Sequence, residues 1–288
     1  MTRLINKIFD NLILQVHGQG GVIVGFGGDA ITCWFAQDNG LRAVACGMAI
    51  QEIMKNFIYT EMPMVGVIQL SVKVTVATGR GRRYLVGKPE IQLLDVLAGE
   101  VMSCLSEMQR CAQTGQVIIN VELAEQLADQ IQFELCQHEK NGQSYAQVRL
   151  VNANALFKHA AVISEPPLIE LDELVLRPWL LHPVYEWLSN GTSKFLAEIR
   201  PVVVLFLCFS GIHYSQDEDA ANKLNQFFSF IQQTIYQHHG FVIKLTIDDK
   251  GSYVMCTFGV PSAYVAQMPL GLAAALELYQ ATTLFPFI

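Results

Sequence analysis

The sequence is poor in charged residues and lacks a long apolar run. Asp, Glu, Lys and Arg make up 16% of the 288 residues, whereas typical soluble domains have roughly 25%. We therefore expect the protein itself or its partners to cover much of the surface. The longest apolar run, Pro201 to Phe209, is far shorter than the roughly 20 residues that a helix needs to cross a bilayer. Since the N-terminus also lacks the apolar core of a signal peptide, we predict a cytoplasmic protein without a membrane partner.

Basic clusters and paired cysteines are also scarce. The formal net charge is -7 and the sequence has no stripe of Lys and Arg, which argues against nucleic acid as a partner because such binding needs cations that neutralise phosphates. An arginine cluster at residues 79–83 is predicted to be a solvated loop, with phosphate binding as the alternative. The seven cysteines form no Cys-x-x-Cys pair, so free thiols in a reducing compartment explain them better than disulfides or a zinc site.

The most informative stretch is a glycine-rich segment at residues 20–35. Short runs of β-branched and aromatic residues flank Gly27, Gly28 and Asp29. Because glycine tolerates a positive φ, this pattern predicts a tight hairpin turn that holds Asp29 at its tip. Hairpins in general use such turns, so a turn-capping role is the alternative interpretation of Asp29.

Helices and strands are predicted to alternate along the chain, which implies an α+β sandwich. Helical spacing of apolar residues predicts helices over Thr2 to Val16, from about Asp38 or Asn39, over Leu93 to Cys111, and over Glu122 to Gln130. Strand patterns cover Val65 to Thr78, Tyr84 to Gly87, Gln116 to Asn120, and Phe133 to His138, which is joined to Ser144 to Val151 through Asn141-Gly142.

The last third of the chain repeats the order of elements at its beginning. A helix that ends in His238-His239-Gly240 is followed by a hairpin over residues 241–258, whose slightly longer turn carries Asp249 and Lys250. The helix Leu270 to Gln280 then corresponds to Leu41 to Gln51. Such an internal repeat predicts two copies of one fold.

The repeat predicts a first domain at 1–156, a linker at 157–195 and a second domain at 196–288. The linker is rich in proline and in apolar residues, so we expect it to pack along a domain. The strand at 200–211 would have its counterpart before Met1, and the residues after the second helix of the first domain would have theirs beyond Ile288. Both domains are therefore expected to be incomplete.

The hairpin and the helix after it resemble the central hairpin of class III nucleotide cyclases, the adenylyl and guanylyl cyclases. Glu198 to Leu207, followed by Asp249-Lys250-Gly251-Ser252-Tyr253, resembles the second catalytic domain of tandem soluble adenylyl cyclases, especially bacterial ones joined to an ATPase module. The resemblance covers the chain from about Ile5 to Gln280. It implies tandem ferredoxin-like domains that pair within the chain as a pseudo-dimer.

The resemblance also implies a function, the conversion of ATP to cyclic AMP and pyrophosphate with two Mg²⁺ or Mn²⁺ ions at the domain interface. Asp29 matches a metal-binding aspartate of the family, and Lys250 matches the lysine that reads the adenine ring. Gly28 and Asp249 lie beside these two residues and are expected to bind nucleotide. For Lys250, a solvent-facing turn residue is the alternative.

The sequence departs from the family pattern at several positions. Gly25 stands where many members have lysine, and residues 101–106 lack an expected arginine. Cys208 stands where the first metal-binding aspartate would be in the second domain, which is expected for a partner domain that binds no metal. The Asn/Arg pair of the family belongs beyond Ile288. The chain alone is therefore expected to be inactive. Three hypotheses remain: part of a larger adenylate-cyclase signalling protein with ATPase or regulatory modules, an inactive pseudo-cyclase that binds nucleotide or regulates, and a plain assembly module.

Overall fold

The computed structural model describes residues 2–62, 66–137, 144–152, 172–191, 200–248, 251–262 and 266–288. The chain forms two compact units. The first unit comprises Met1–Gly79 and Ser103–Pro167, and the second comprises Arg80–Met102 and Leu168–Ile288. The limits 1–156 and 196–288 describe the two copies of the sequence repeat and not these compact units, and they stay a prediction.

Helices and strands are mixed along the whole chain, as the α+β class requires. Among the described residues the α-helices are α1 (Thr2–Gly18), α2 (Leu41–Met54), α3 (Glu100–Cys111), α4 (Val121–Gln126), α5 (Glu173–Leu176), α6 (His182–Ser189), α7 (Ala220–Gln237) and α8 (Gln267–Gln280). The strands are β1 (Val22–Gly27), β2 (Ala30–Trp34), β3 (Tyr59–Met62), β4 (Gly66–Gln69), β5 (Val74–Val76), β6 (Arg82–Val86), β7 (Leu94–Ala98), β8 (Val117–Asn120), β9 (Ile131–Gln137), β10 (Ser144–Val151), β11 (Val203–Phe209), β12 (Phe241–Asp248) and β13 (Gly251–Phe258). Short 3-10 helices cover Lys55–Phe57, Arg177–Trp179 and Ala281–Leu284. In the described part of the chain, no helix has the length and apolar character to cross a membrane.

The first unit holds two hairpins and one larger sheet. β1 pairs with β2, β3 pairs with β4, and the larger sheet has the order β5-β8-β10-β9, in which β5 runs parallel to β8. One core cluster packs α1 and α2 over the β1–β2 hairpin through Val16, Cys46 and Ile50. A second cluster, centred on Ile119 and Leu123, packs α2 and α4 on the larger sheet.

The second unit is built on the antiparallel sheet β11-β13-β12. Helices α7 and α8 supply Phe228, Ile231 and Ala274 to its core. The β6–β7 hairpin belongs to the same core, to which it contributes Tyr84 and Val96, both at most 6% exposed. Residues that come early in the chain therefore complete the core of the second unit.

Polar contacts fix the β6–β7 hairpin within the second unit. The Arg82 guanidinium donates to the carbonyl oxygens of Asp217 at 2.8 Å and Ser215 at 3.3 Å. The buried Gln232 side chain accepts from the backbone N–H of Lys88 at 2.8 Å and donates to the carbonyl oxygen of Gln92 at 2.6 Å. Because buried polar groups need partners, these bonds favour one position of the hairpin over others.

The predicted helix over Leu93 to Cys111 is wrong in its first part, which is strand β7. The sequence Leu-Asp-Val-Leu-Ala alternates, and Val96 and Ala98 are buried against the core while Asp95 pairs with Arg83 across the hairpin. Gly99 then has φ +113°, a conformation outside the helical region. The helix starts only at Glu100. The spacing of the leucines fits both a helix and a strand, and Gly99 separates the strand from the helix.

Other predicted elements are confirmed with small shifts. The helices α1, α2 and α4 and the strands β8, β9 and β10 lie where the sequence patterns place them. The predicted strand over Val65 to Thr78 is two separate strands, β4 and β5, with irregular residues between them. The predicted turn at Asn141-Gly142 and most of the linker lie outside the described residues, and residues 172–191 of the linker carry α5 and α6.

Candidate functional site

The β1–β2 hairpin presents the predicted site residues Gly28 and Asp29 as a two-residue turn. Gly27 pairs with Ala30, so Gly28 and Asp29 alone connect the strands. Gly28 has φ +68°, which a side chain would strain even though a Cβ there meets nothing within 4 Å. Asp29 is exposed. The hairpin and its tip are therefore as the sequence predicts.

The base of this hairpin is fixed by close packing at Gly21. The Gly21 N–H donates to the carbonyl oxygen of Val16 at 2.8 Å, which ends α1. A Cβ on Gly21 would lie 2.6 Å from the Phe35 ring, so the strand passes the ring only because glycine stands there. Phe9 and Phe26 meet edge to face, with ring centroids 5.9 Å apart. Asp29 thus extends from a closely packed base.

The second helix of this motif starts at Leu41 after an N-cap at Gly40, one to two residues beyond the predicted cap at Asp38 or Asn39. The Asp38 carboxylate accepts hydrogen bonds from the N–H groups of Arg42 and Ala43, at 3.3 and 3.0 Å, and Asn39 Oδ1 accepts from the N–H of Leu41 at 3.2 Å. These bonds satisfy N–H groups that a helix start leaves free. The side chain of Asp38 is only 4% exposed, so it is a structural carboxylate.

The second unit contains the same details at its β12–β13 hairpin. The Gly240 N–H donates to the carbonyl oxygen of Ile235 at 2.8 Å, and a Cβ on Gly240 would lie 2.6 Å from Phe258. The first strand of each hairpin has a register shift after its second residue, which skips Val24 in one and Ile243 in the other. The bulge makes Gly25 and Lys244 equivalent, since each is the first paired residue after it.

The structure places only part of the predicted site. Asp248 pairs with Gly251 at the end of the β12–β13 hairpin. Asp249 and Lys250, which come between them in the sequence, lie outside the described residues. Gly28 and Asp29 are adjacent at one hairpin tip, and the roles assigned to all four residues stay predictions.

The residues present do not form a site for two metal ions by themselves. Within the described ranges no group of three or more His, Cys, Asp or Glu side chains could hold an ion. No hydrogen bond or ion pair to the Asp29 carboxylate occurs among those residues either. Mg²⁺ prefers six oxygen ligands, and Asp29 can supply one or two of them. A complete metal site would need ligands from beyond the described residues.

The arginine cluster, which was predicted to be a solvated loop, lies partly on strand β6. Arg83 Nε donates to both carboxylate oxygens of Asp95, at 2.7 and 2.6 Å, and this bonding raises the pKa of the Arg83 guanidinium. Arg82 donates to two carbonyl oxygens as described above. Both side chains therefore support the hairpin, and the alternative of phosphate binding gains no support from them.

A small cavity in the second unit was missed by the sequence analysis. Its volume is about 20 Å³, and Gln92, His182 and Gln232 are among its lining residues. Gln92 Oε1 is buried with no hydrogen-bond partner among the described residues. Ligand pockets usually have about 300 Å³ or more, whereas about 10 to 15 Å³ is enough for a water molecule. The cavity suits one water that bonds to Gln92 and is too small for a nucleotide.

Together these elements define an α+β protein in which a helix, a hairpin and a second helix occur twice.

A scan against protein-family models finds no match, and a search of curated proteins finds none. Solved structures similar to part of the chain include the adenylyl cyclase CyaB from P. aeruginosa, at 18% identity over 53% of this chain and 83% of that chain, with a TM-score of 0.44. The guanylyl cyclase Cya2 has 22% identity over 53% and 81%, with a TM-score of 0.45.

A third similar structure is the guanylate cyclase domain of RhGC from Catenaria anguillulae in complex with GTP. It has 17% identity over 51% of this chain and 82% of that chain, with a TM-score of 0.43. The structure neighbours are thus class III cyclase domains, and the mixed helix and strand content of this chain fits their fold. At such low identities and TM-scores, the activity, the nucleotide and the metals have to be argued from the residues of this chain.

Proposed function

We propose that the chain is an adenylyl-cyclase-type protein that binds ATP, and that Asp29 contributes a carboxylate to the metal site of that nucleotide. The observation that carries the proposal is the exposed aspartate on a two-residue turn, held by a glycine base and a bulged strand that both recur in the second unit. An exposed carboxylate on a two-residue turn, without an internal partner among the described residues, is available to a ligand.

The proposed reaction joins the 3′-oxygen of the ribose to the α-phosphorus of ATP and releases pyrophosphate. Bound Mg²⁺ or Mn²⁺ would neutralise the triphosphate. Asp29 would supply one ligand oxygen, and Lys250 would donate to an acceptor of the adenine ring, with Gly28 and Asp249 beside them. Pairing of the two domains within the chain, a place in a larger cytoplasmic signalling protein, and attached ATPase or regulatory modules belong to the same proposal.

The second candidate is a pseudo-cyclase that binds nucleotide without turnover or serves as a regulatory module. The departures from the family pattern at Gly25 and at residues 101–106 favour it, and so does the expectation that both domains are incomplete. The two candidates share nucleotide binding and differ in product formation.

The test measures ATP binding by calorimetry with millimolar Mg²⁺ or Mn²⁺, and cyclic AMP by mass spectrometry, for the full chain. Asp29→Asn removes the tip carboxylate, and Asp129→Asn is the matched control because Asp129 is another exposed aspartate of the first unit. We expect Asp29→Asn to weaken metal-dependent ATP binding by about tenfold, or about 1.4 kcal/mol, with Asp129→Asn unchanged.

Each outcome separates the candidates. Cyclic AMP that disappears with Asp29→Asn establishes a cyclase. ATP binding without product, both by this chain and by a version extended at both ends from its reading frame, favours the pseudo-cyclase. Equal binding by Asp29→Asn and the parent protein contradicts the role of Asp29. No ATP binding at all contradicts the cyclase and the nucleotide-binding pseudo-cyclase, and leaves a regulatory or assembly module.

A further inference from the structure

Residues 172–191 fall within the predicted linker, yet they belong to the second compact unit. They form α5, a 3-10 helix and α6. An isolated helix shorter than about 12 to 15 residues is marginal in water, and α6 has 8 residues. These residues, which we call the latch segment, therefore depend on the rest of the second unit for their stability.

The latch segment meets residues 88–93, the connection between β6 and β7. The Leu93 N–H donates to the carbonyl oxygen of Pro178 at 2.6 Å. The small cavity described above lies at the same contact, because Leu181 and His182 of the latch segment line it together with Gln92. The polar groups in this cavity therefore bear on how the latch segment is held.

Gln92 brings an unsatisfied acceptor to the cavity. The residue is 8% exposed, and its Oε1 atom has no hydrogen-bond partner among the described residues. Gln232 also lines the cavity, but its side-chain amide already bonds to the backbone of residues 88 and 92. A buried acceptor is costly to leave without a bond, so Gln92 Oε1 needs a donor within the cavity.

Helix α6 brings a donor to the same cavity. The first N–H groups of a helix have no partner within that helix, and the N-cap Leu181 makes no side-chain hydrogen bond to those of α6. His182, the first residue of α6, lines the cavity. A molecule that bonds to both groups must donate to an amide oxygen and accept from an N–H, which water can do.

We propose that one water molecule in this cavity donates to Gln92 Oε1, accepts from the His182 N–H, and thereby fastens the latch segment to the second unit. The cavity volume of about 20 Å³ suits a single water, so both groups lie within reach of the same molecule. Buried waters usually bond to polar groups that otherwise lack a partner. This inference does not depend on the proposed nucleotide chemistry.

Gln92→Met tests the role of the water, because methionine has a similar length and lacks the amide acceptor. Gln226→Met is the matched control, since Gln226 is an exposed glutamine of α7 in the same unit. Amide hydrogen exchange is measured for the full chain at Leu93 and at residues 184–189. We expect exchange there to rise at least about tenfold with Gln92→Met and not with the control, while residues 251–258 of β13 stay unchanged.

The opposite result has a clear meaning. If no water bonds to Gln92 Oε1, methionine removes an unsatisfied buried acceptor, and the change is neutral or stabilising. Unchanged or slower exchange at Leu93 and at residues 184–189 in Gln92→Met therefore overturns the proposal.

A second measurement detects the water itself and does not depend on the stability of the variant. In the full chain with deuterated carbon positions, we expect a nuclear Overhauser effect between a long-lived water and the His182 N–H. Gln226→Met should keep this effect and Gln92→Met should lose it. Its absence from the unsubstituted chain overturns the proposal, and so does its persistence in Gln92→Met.

Discussion

Substituting Gly240 by alanine tests the packing that the two hairpins share. A Cβ at this position would lie 2.6 Å from Phe258 Cε1 and 2.9 Å from Ile235 Cγ2, whereas carbon atoms in contact prefer about 3.5 to 4.0 Å. Phe258 is 1% exposed and Ile235 is fully buried. Neither side chain has room to withdraw, so the strand or the helix end must move.

We expect Gly240→Ala to lower the free energy of unfolding by about 1 to 3 kcal/mol, the usual cost of overpacking a core. For a chain of 288 residues that corresponds to a fall in Tm of roughly 2 to 5 °C. Gly21→Ala makes nearly the same contacts in the first unit, but the ring it meets, Phe35, is only partly buried. We therefore expect a smaller loss there.

Gly18→Ala is the control, because a Cβ at Gly18 meets nothing within 4 Å and alanine favours a helix by up to about 1 kcal/mol over glycine. Thermal unfolding followed by circular dichroism measures all three variants. If Gly240→Ala leaves Tm unchanged, or if Gly21→Ala costs more than Gly240→Ala, the packing argument and the comparison of the two hairpins are both wrong.

Three further predictions concern the second unit. Gln232→Leu removes two buried hydrogen bonds to the 88–92 segment and should lower the free energy of unfolding, measured with urea, by about 1 to 3 kcal/mol. Gln233→Leu, at an exposed position, should cost less. Similar costs would contradict a structural role of the buried amide. Cys208 is exposed, whereas burial raises the pKa of Cys256 to about 12. Iodoacetamide at pH 8 should therefore modify Cys208 first in a time course followed by mass spectrometry. Early modification of Cys256 would contradict its burial. Lys250→Ala should reduce the preference for ATP over GTP in the binding assay by about tenfold, since a hydrogen bond from a charged donor is worth about 1.5 to 3 kcal/mol. An unchanged ratio of the two affinities would mean that Lys250 is a solvent-facing turn residue.

Local signals in the sequence predict local structure well here. The hairpin at residues 20–35 is predictable because Gly28 permits the turn that the flanking strands need. The start of α2 follows from Asp38 and Asn39, whose side chains satisfy the first N–H groups of the helix. In both cases the determining interaction lies within a few residues of the element that it defines.

Long-range interactions explain what the sequence did not predict. β7 has leucines at helical spacing, and only its pairing with β6 and the core of the second unit makes it a strand. The bond from Gln232 to Gln92 joins residues far apart in the chain, so no local pattern signals it. The candidate site is predicted at Asp29 from a turn motif, whereas any further ligand depends on contacts that a turn motif does not encode.

The position of the β6–β7 hairpin within the second unit has a consequence for synthesis of the chain. Tyr84, Val86, Val96 and Ala98 leave the ribosome well before α7, the helix that covers them in the folded protein. Until residues 220–258 follow, this apolar face has no native partner in its own unit. Because exposed apolar strands of nascent chains invite aggregation, the hairpin is where we expect a chaperone to bind during translation.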